Sequence, residues 1–188
     1  AARADAPAIL VLGDSLSAAY GMRVEQGWVS LLADRLKASA YGYRVVNASA
    51  SGETTGGALA RLPRALDKHR PAVVIVELGG NDGLRGLPIG DVRSNLDSII
   101  RLSRKAGAKV LLIGMRIPPN YGPAYTRDFH QLFAEVASQH KLPLVPFFLD
   151  GIALDDGLMQ EDGLHPSASA QPKLLAQVWP VLQPLLAR

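Results

Sequence analysis

The chain has no cysteine in 188 residues. That absence excludes disulfide staples, a thiol nucleophile and any thiolate metal site. No apolar run approaches the roughly 20 residues of a membrane-spanning helix, so no integral membrane segment is expected. A strong charge of either sign is also lacking: 20 Lys and Arg stand against 17 Asp and Glu, a formal net charge of +3. The basic residues are scattered rather than gathered into a stripe, which leaves no electrostatic footprint for nucleic acid. Neither GxxxxGKS/T nor GxGxxG follows the first apolar run. No HExxH or carboxylate cluster points to a metal. No cofactor is expected.

What is present is an ordinary globular balance, 48% apolar and 20% charged, on a length that suits one domain over 1–188. Nothing suggests an obligate dimer, and a monomer is expected. The start AARADAPA is rich in small residues and lacks Met, as a mature exported chain looks after leader removal. A periplasmic or secreted location is the expectation; a trimmed chain would look the same.

Five short apolar, β-branched-rich runs recur: AILVL (8–12), YRVVNAS (43–49), AVVIVEL (72–78), AKVLLIG (108–114) and PLVPFF (143–148). Most are continuous rather than alternating, as strands covered on both faces should be. Helical patterns lie between them, over 28–39, 57–69, 91–107 and 125–141, with a tail helix from Ser169 to Leu186. Pro63 calls for a kink or a late start in the second helix, and Pro180 and Pro184 for a kink or early end near Trp179. Strand and helix in alternation predict a single three-layer α/β domain on a five-stranded parallel sheet with right-handed crossovers.

In open parallel sheets ligands bind beyond the carboxyl ends of the strands, so the residues following each run matter most. They are Gly13-Asp14-Ser15-Leu16-Ser17, then Ser49-Ala50-Ser51-Gly52-Glu53-Thr54-Thr55, then Gly79-Gly80-Asn81-Asp82. The stretch Arg116–Gly122 follows the fourth run, and Glu161-Asp162-Gly163-Leu164-His165-Pro166 comes after the fifth. Acyl transfer needs a nucleophile, a base, a group that orients the base, and donors aimed at the developing oxyanion. Ser15 fits the nucleophile, His165 the base and Asp162 its orienter. The N–H groups of Ser15 and Gly52 and the amide of Asn81 fit the oxyanion hole.

Plainer roles are weighed beside these. A serine alone at a strand end is a turn or cap residue, and the constellation is what sets Ser15 apart. Asp14 and Asp82 read as turn formers bonding nearby N–H groups, and Thr54 and Thr55 as helix caps. Of the four histidines, His69 and His140 fall near helix C-termini, where a partly cationic ring suits the dipole. His130 falls mid-helix as a packing or surface residue. Asp150, Asp155 and Asp156 rival Asp162 but need a longer reach to His165. Leu84, Pro118, Pro119 and Tyr121 are candidate walls of an acyl groove, with ordinary loop packing as the equal alternative. The GxSxG elbow of α/β-hydrolases is missing around Ser15, so a different strand-to-helix turn carries the serine.

GDSLS, SGETT, GGND and DGLHP, in this order from Gly13 to Pro166, resemble the four signature blocks of the SGNH (GDSL) hydrolase family. RIPPNYG and the compact size are similar to its bacterial thioesterase I, lysophospholipase L1 and arylesterase group. The resemblance implies a flavodoxin-like sheet of order 2-1-3-4-5. It implies Ser15, Gly52, Asn81 and His165 as the family's named residues, with Asp162 completing the triad. The implied activity is hydrolysis of small acyl esters or thioesters (aryl esters, acyl-CoA, lysophospholipids) through an acyl-enzyme on Ser15. The alternatives are a carbohydrate O-acetyl esterase and, from another class, a non-catalytic flavodoxin-like binding module.

Overall fold

A computed structural model describes residues 5–188; the first four residues of AARADAPA lie outside the described residues. The apolar runs become strands because each is short, β-branched and covered from both sides. β1 (Ala8–Gly13) and β3 (Val73–Glu77) are buried at every position. β2 (Arg44–Asn47), at one edge, is only partly buried. β4 (Lys109–Ile113) is buried beyond its first residue, and β5 (Leu144–Val145) closes the other edge. All pairings are parallel, in the order β2-β1-β3-β4-β5. β5 is shorter than the run 143–148 predicts. Pro143 and Pro146 flank it, and neither has an N–H for a ladder.

The helices are α1 (Trp28–Ala38), α2 (Thr55–His69), the short α3 (Gly80–Leu84), α4 (Ile89–Lys105), α5 (Pro123–His140) and α6 (Gln171–Leu182). α1 packs with α6, while α2, α4 and α5 pack in series, which makes the helical layers on the two sides of the sheet. Among the described residues no helix is long and apolar enough to cross a membrane.

Three expectations change here. α2 does not start late: it runs from Thr55 with Pro63 in its interior. An interior proline costs a helix roughly 3 kcal/mol, and the buried stripe Thr55, Ala58, Leu62 and Leu66 supplies the packing that outweighs it. α6 likewise continues through Pro180 to Leu182, and the chain passes Pro184 as a 3-10 turn. α3 was not foreseen, because GGND reads as a turn.

Register decides where the site forms. Gly13 pairs with Glu77, so the turn after β1 and the residues leading to α3 leave the sheet side by side. Ser15 rides on the first and Asn81 on the second.

Candidate active site

Ser15 sits in the turn that follows β1, closed by Ser17 and Ala18 N–H groups donating to the Asp14 carbonyl at 3.1 and 3.0 Å. Its side chain is half-buried. His165 approaches from the loop after β5, which is drawn into a narrow hairpin. Met159 bridges Pro166, and the Gln160 N–H donates to the His165 carbonyl at 2.7 Å. The Gln160 amide then donates to the carbonyls of Tyr20 at 2.8 Å and Pro166 at 3.0 Å, tying this loop to the one after β1.

The hairpin delivers His165 Nε2 to within 3.1 Å of Ser15 Oγ, across 150 residues of sequence. On the far side of the ring Nδ1 lies 2.6 Å from Asp162 Oδ2. Asp162 is itself fixed, since its Oδ1 accepts from the N–H groups of Leu164 and His165 at 2.9 and 3.0 Å. The His165 side-chain bond, followed by those two backbone N–H donors, holds the Asp162 carboxyl down at about 2. It is an anion at neutral pH. Of the rival acids, Asp155 spends its Oδ1 on the Gly157 N–H at 3.0 Å, while Asp150 and Asp156 are exposed in the same loop region.

Gly52 lies in the loop after β2 with φ of +79°, a left-handed conformation that costs glycine nothing. Open space surrounds the position of an added Cβ, so the backbone angle rather than crowding calls for glycine. Gly79 is the second such point. Its φ of +108° turns the chain from β3 into α3, and a Cβ there would lie 2.8 Å from Phe133. That turn sets Asn81 at the first turn of α3, where its Nδ2 donates to the Glu53 carbonyl at 2.9 Å. A carboxamide has two N–H bonds, so one anchors Asn81 to the loop carrying Gly52 and one remains. Among the described residues, the Ser15 and Gly52 N–H groups make no hydrogen bond.

Asp82 differs from expectation. It is not a local turn former: it is buried and accepts from Thr55 N–H at 2.9 Å and Thr55 Oγ1 at 2.6 Å. Thr55 therefore serves Asp82, with Asn95 donating to its hydroxyl at 3.1 Å, and Thr54 alone caps α2 through Gly57 N–H at 3.2 Å. Asp14 does bond locally, to Leu16 N–H at 3.0 Å, and is also buried beside Glu77. His140 ends α5 with Nε2 2.7 Å from Asp97 Oδ1, His69 ends α2, and His130 is exposed.

The proposed groove walls lie on the loops after β3 and β4. The Tyr121 hydroxyl donates to the Leu84 carbonyl at 2.7 Å and joins those loops, while Pro118 and Pro119 are exposed. An open cavity of about 470 Å³ beside them is lined by Ile117, Pro119, Pro123 and Thr126, with Arg116, Arg127 and His130 around it. Ser15 and His165 do not line it. Sequence reasoning missed Tyr20, Gln160 and Glu77. Only Glu77 carried a signal, a carboxylate inside an otherwise apolar run.

A serine, an imidazole and a carboxylate hydrogen-bonded in series at the open edge of a 2-1-3-4-5 sheet define the class as a serine-type ester hydrolase. The model of the GDSL-like lipase/acylhydrolase family matches residues 11–171, and the chain belongs to that family. It is 54% identical over 184 residues to esterase TesA of Pseudomonas aeruginosa, covering 98% of this chain and 92% of the relative. It is 42% identical over 183 residues to thioesterase 1/protease 1/lysophospholipase L1 of Escherichia coli, covering 97% and 86%. The psychrotrophic esterase EstA from Pseudoalteromonas sp., in a structure inhibited by monoethylphosphonate, matches with a TM-score of 0.90 at 43% identity. That match covers 94% of this chain and 97% of the other.

Proposed function

We propose that the enzyme hydrolyses acyl esters and thioesters, including aryl esters, acyl-CoA and lysophospholipids, through an acyl-enzyme on Ser15. The observation that carries this reading is the unbroken hydrogen-bond series Ser15 Oγ–His165–Asp162, at 3.1 and 2.6 Å. Asp162, ionised, takes the proton-bearing Nδ1 of the imidazole and leaves Nε2 as the lone-pair nitrogen toward Ser15. As Oγ attacks the acyl carbon, its proton passes to Nε2. The C=O π bond opens and the carbonyl oxygen becomes an oxyanion, facing the N–H groups of Ser15 and Gly52 and the second N–H of Asn81.

Collapse breaks the bond to the leaving thiol or alcohol, which takes the proton from Nε2. Water then attacks the acyl-serine with His165 again as base, and the free acid departs. The loops holding Leu84, Pro118, Pro119 and Tyr121 offer an apolar wall for the acyl chain. The names of the relatives support both ester and thioester substrates, and inhibition of EstA by monoethylphosphonate fits the chemistry of a serine nucleophile. All five site residues come from one chain, which supports action as a monomer.

The test is hydrolysis of p-nitrophenyl esters from acetate to palmitate by wild type and Ser15→Ala, with fluorophosphonate labelling of both. Activity on medium or long chains, and labelling, are expected to vanish together in Ser15→Ala. Activity that survives there overturns the reading. A sharp preference for acetate favours O-deacetylation of a decorated carbohydrate, and no hydrolysis or labelling at all favours a binding module.

A further inference from the structure

One buried acidic pair takes no part in those steps. Glu77 ends β3 with no exposed surface, and Asp14, the residue before Ser15, is 2% exposed. Glu77 Oε1 accepts from the Asp14 N–H at 3.4 Å and from Ser17 Oγ at 2.6 Å. The Ser17 hydroxyl accepts in turn from the Trp28 indole N–H at 3.2 Å. Glu77 thus grips the turn bearing Ser15 at both ends, and Trp28 of α1 backs that grip. Its other oxygen, Oε2, is buried with no donor to satisfy it, an arrangement that suits a protonated oxygen far better than an anionic one.

Two adjacent buried carboxyls do not both ionise. Burial first, then the Asp14 charge, pushes Glu77 well above the usual carboxylate range. Asp14 is raised by burial too, but its bonds to Glu77 and Leu16 and the nearby His165 pull the other way. The single proton of the pair therefore rests on Glu77. Asp14, Glu77 and His165 are the ionisable groups that bear on the pair.

We propose that Glu77 is a positioning residue acting as a neutral carboxylic acid: it donates its one hydrogen to Asp14, clamps the turn that presents Ser15, and leaves Asp14 as the one anion of the buried pair, a second negative charge bearing on His165 besides Asp162. This rests on the assignment of Ser15 as nucleophile and His165 as base. The clamp keeps Oγ within reach of Nε2, and the Asp14 charge favours the imidazolium that forms in each transition state. Both effects belong to kcat rather than to KM, because neither group faces the acyl chain.

The experiment compares the pH profile of kcat/KM for a p-nitrophenyl ester in wild type, Glu77→Gln and Asp14→Asn, with Glu77→Leu and Ser15→Ala alongside. Glutamine matches the neutral acid in shape, charge and donor, so the acidic limb of Glu77→Gln is expected to superimpose on wild type. Asp14→Asn removes the anion, and its limb is expected to move to lower pH by about half a unit or more. Glu77→Leu is expected to lose kcat by ~10-fold or more with KM within about twofold.

A limb displaced in Glu77→Gln shows that Glu77 is ionised in the working enzyme and overturns the proposal. A limb unmoved in Asp14→Asn overturns it as well. If Glu77→Leu fails to fold, those two profiles still decide. Activity surviving in Ser15→Ala sinks the nucleophile assignment instead, so the two failures are distinguishable.

Discussion

The Tyr20 ring is stacked on the imidazole of His165, centroids 4.1 Å apart and planes 28° from parallel. Tyr20 is itself held from behind, since its carbonyl accepts from the Gln160 amide at 2.8 Å. The stack has two consequences. It limits rotation of the ring away from Ser15, and its π-face favours the imidazolium that the proposed mechanism forms at His165, an effect worth about 0.5–1 kcal/mol at an exposed site.

Tyr20→Ala is accordingly expected to lower kcat by about 2- to 5-fold, while Tyr20→Phe, which keeps the ring, holds kcat near wild type. Steady-state rates on one p-nitrophenyl ester suffice. If Phe falls as far as Ala, the hydroxyl rather than the stack is what matters.

Asp162 is more exposed than a buried triad acid, with 37% of its side chain accessible. Asp162→Asn, which favours the wrong tautomer of His165, is expected to cost roughly 10²–10⁴ in kcat, the lower figures reflecting water that can replace the carboxylate. Asp155→Asn should leave kcat unchanged, because that side chain serves only the Gly157 N–H. The opposite pattern would reassign the triad.

A pH signature accompanies this. The folded Asp162 carboxyl is depressed to about 2 from its ordinary 3.8, with the His165 bond as the largest cause. A depressed acid adds stability that is fully present above its unfolded value and is lost as pH falls through the folded one. The melting-temperature gap between wild type and Asp162→Asn should thus be constant above about pH 5 and close between about pH 4 and 2. A gap that closes near pH 6 would mean that a different group carries it.

The parts of this site that lie on strand ends were legible in the sequence, because continuous apolar runs fix the sheet and the sheet fixes its carboxyl edge. GDSLS, SGETT, GGND and DGLHP fell there, and the structure brings Ser15, His165 and Asp162 together. Long-range polar pairing was not legible. Asp82 carries a generic turn signature, yet its partner Thr55 lies 27 residues away, and Tyr20 is set against His165 by tertiary folding alone. At Pro63 a late start and at Pro180 an early end did not follow, because the buried helix faces outweigh the local rule.

On the proposed mechanism Asn81 has two jobs, oxyanion donor and loop anchor, that two readouts on one substitution can separate. Asn81→Ala removes the N–H offered to the oxyanion and is expected to lower kcat by roughly 10²–10³. It also frees the Glu53 carbonyl, which Asn81 holds at 2.9 Å. The stability cost of losing that one hydrogen bond should stay near 1 kcal/mol. A large kcat loss with a small shift in the urea midpoint fits the oxyanion role; equal losses in both would make Asn81 chiefly a loop anchor.

The Thr55–Asp82 pair should show the reverse balance. Thr55 Oγ1 donates to Asp82 Oδ2 at 2.6 Å and accepts from Asn95 at 3.1 Å, joining α2, α3 and α4 at a point with almost no solvent access. Thr55→Val keeps the shape and the Thr55 N–H bond to Asp82 Oδ1 but strips one buried carboxylate oxygen of its donor. The expected cost is about 1–3 kcal/mol of unfolding free energy, read from urea titrations with an unchanged slope. The same loss in Asn95→Ala alone would place the stabilising bond on the amide. A double variant no worse than Thr55→Val would show that the three side chains act as one unit.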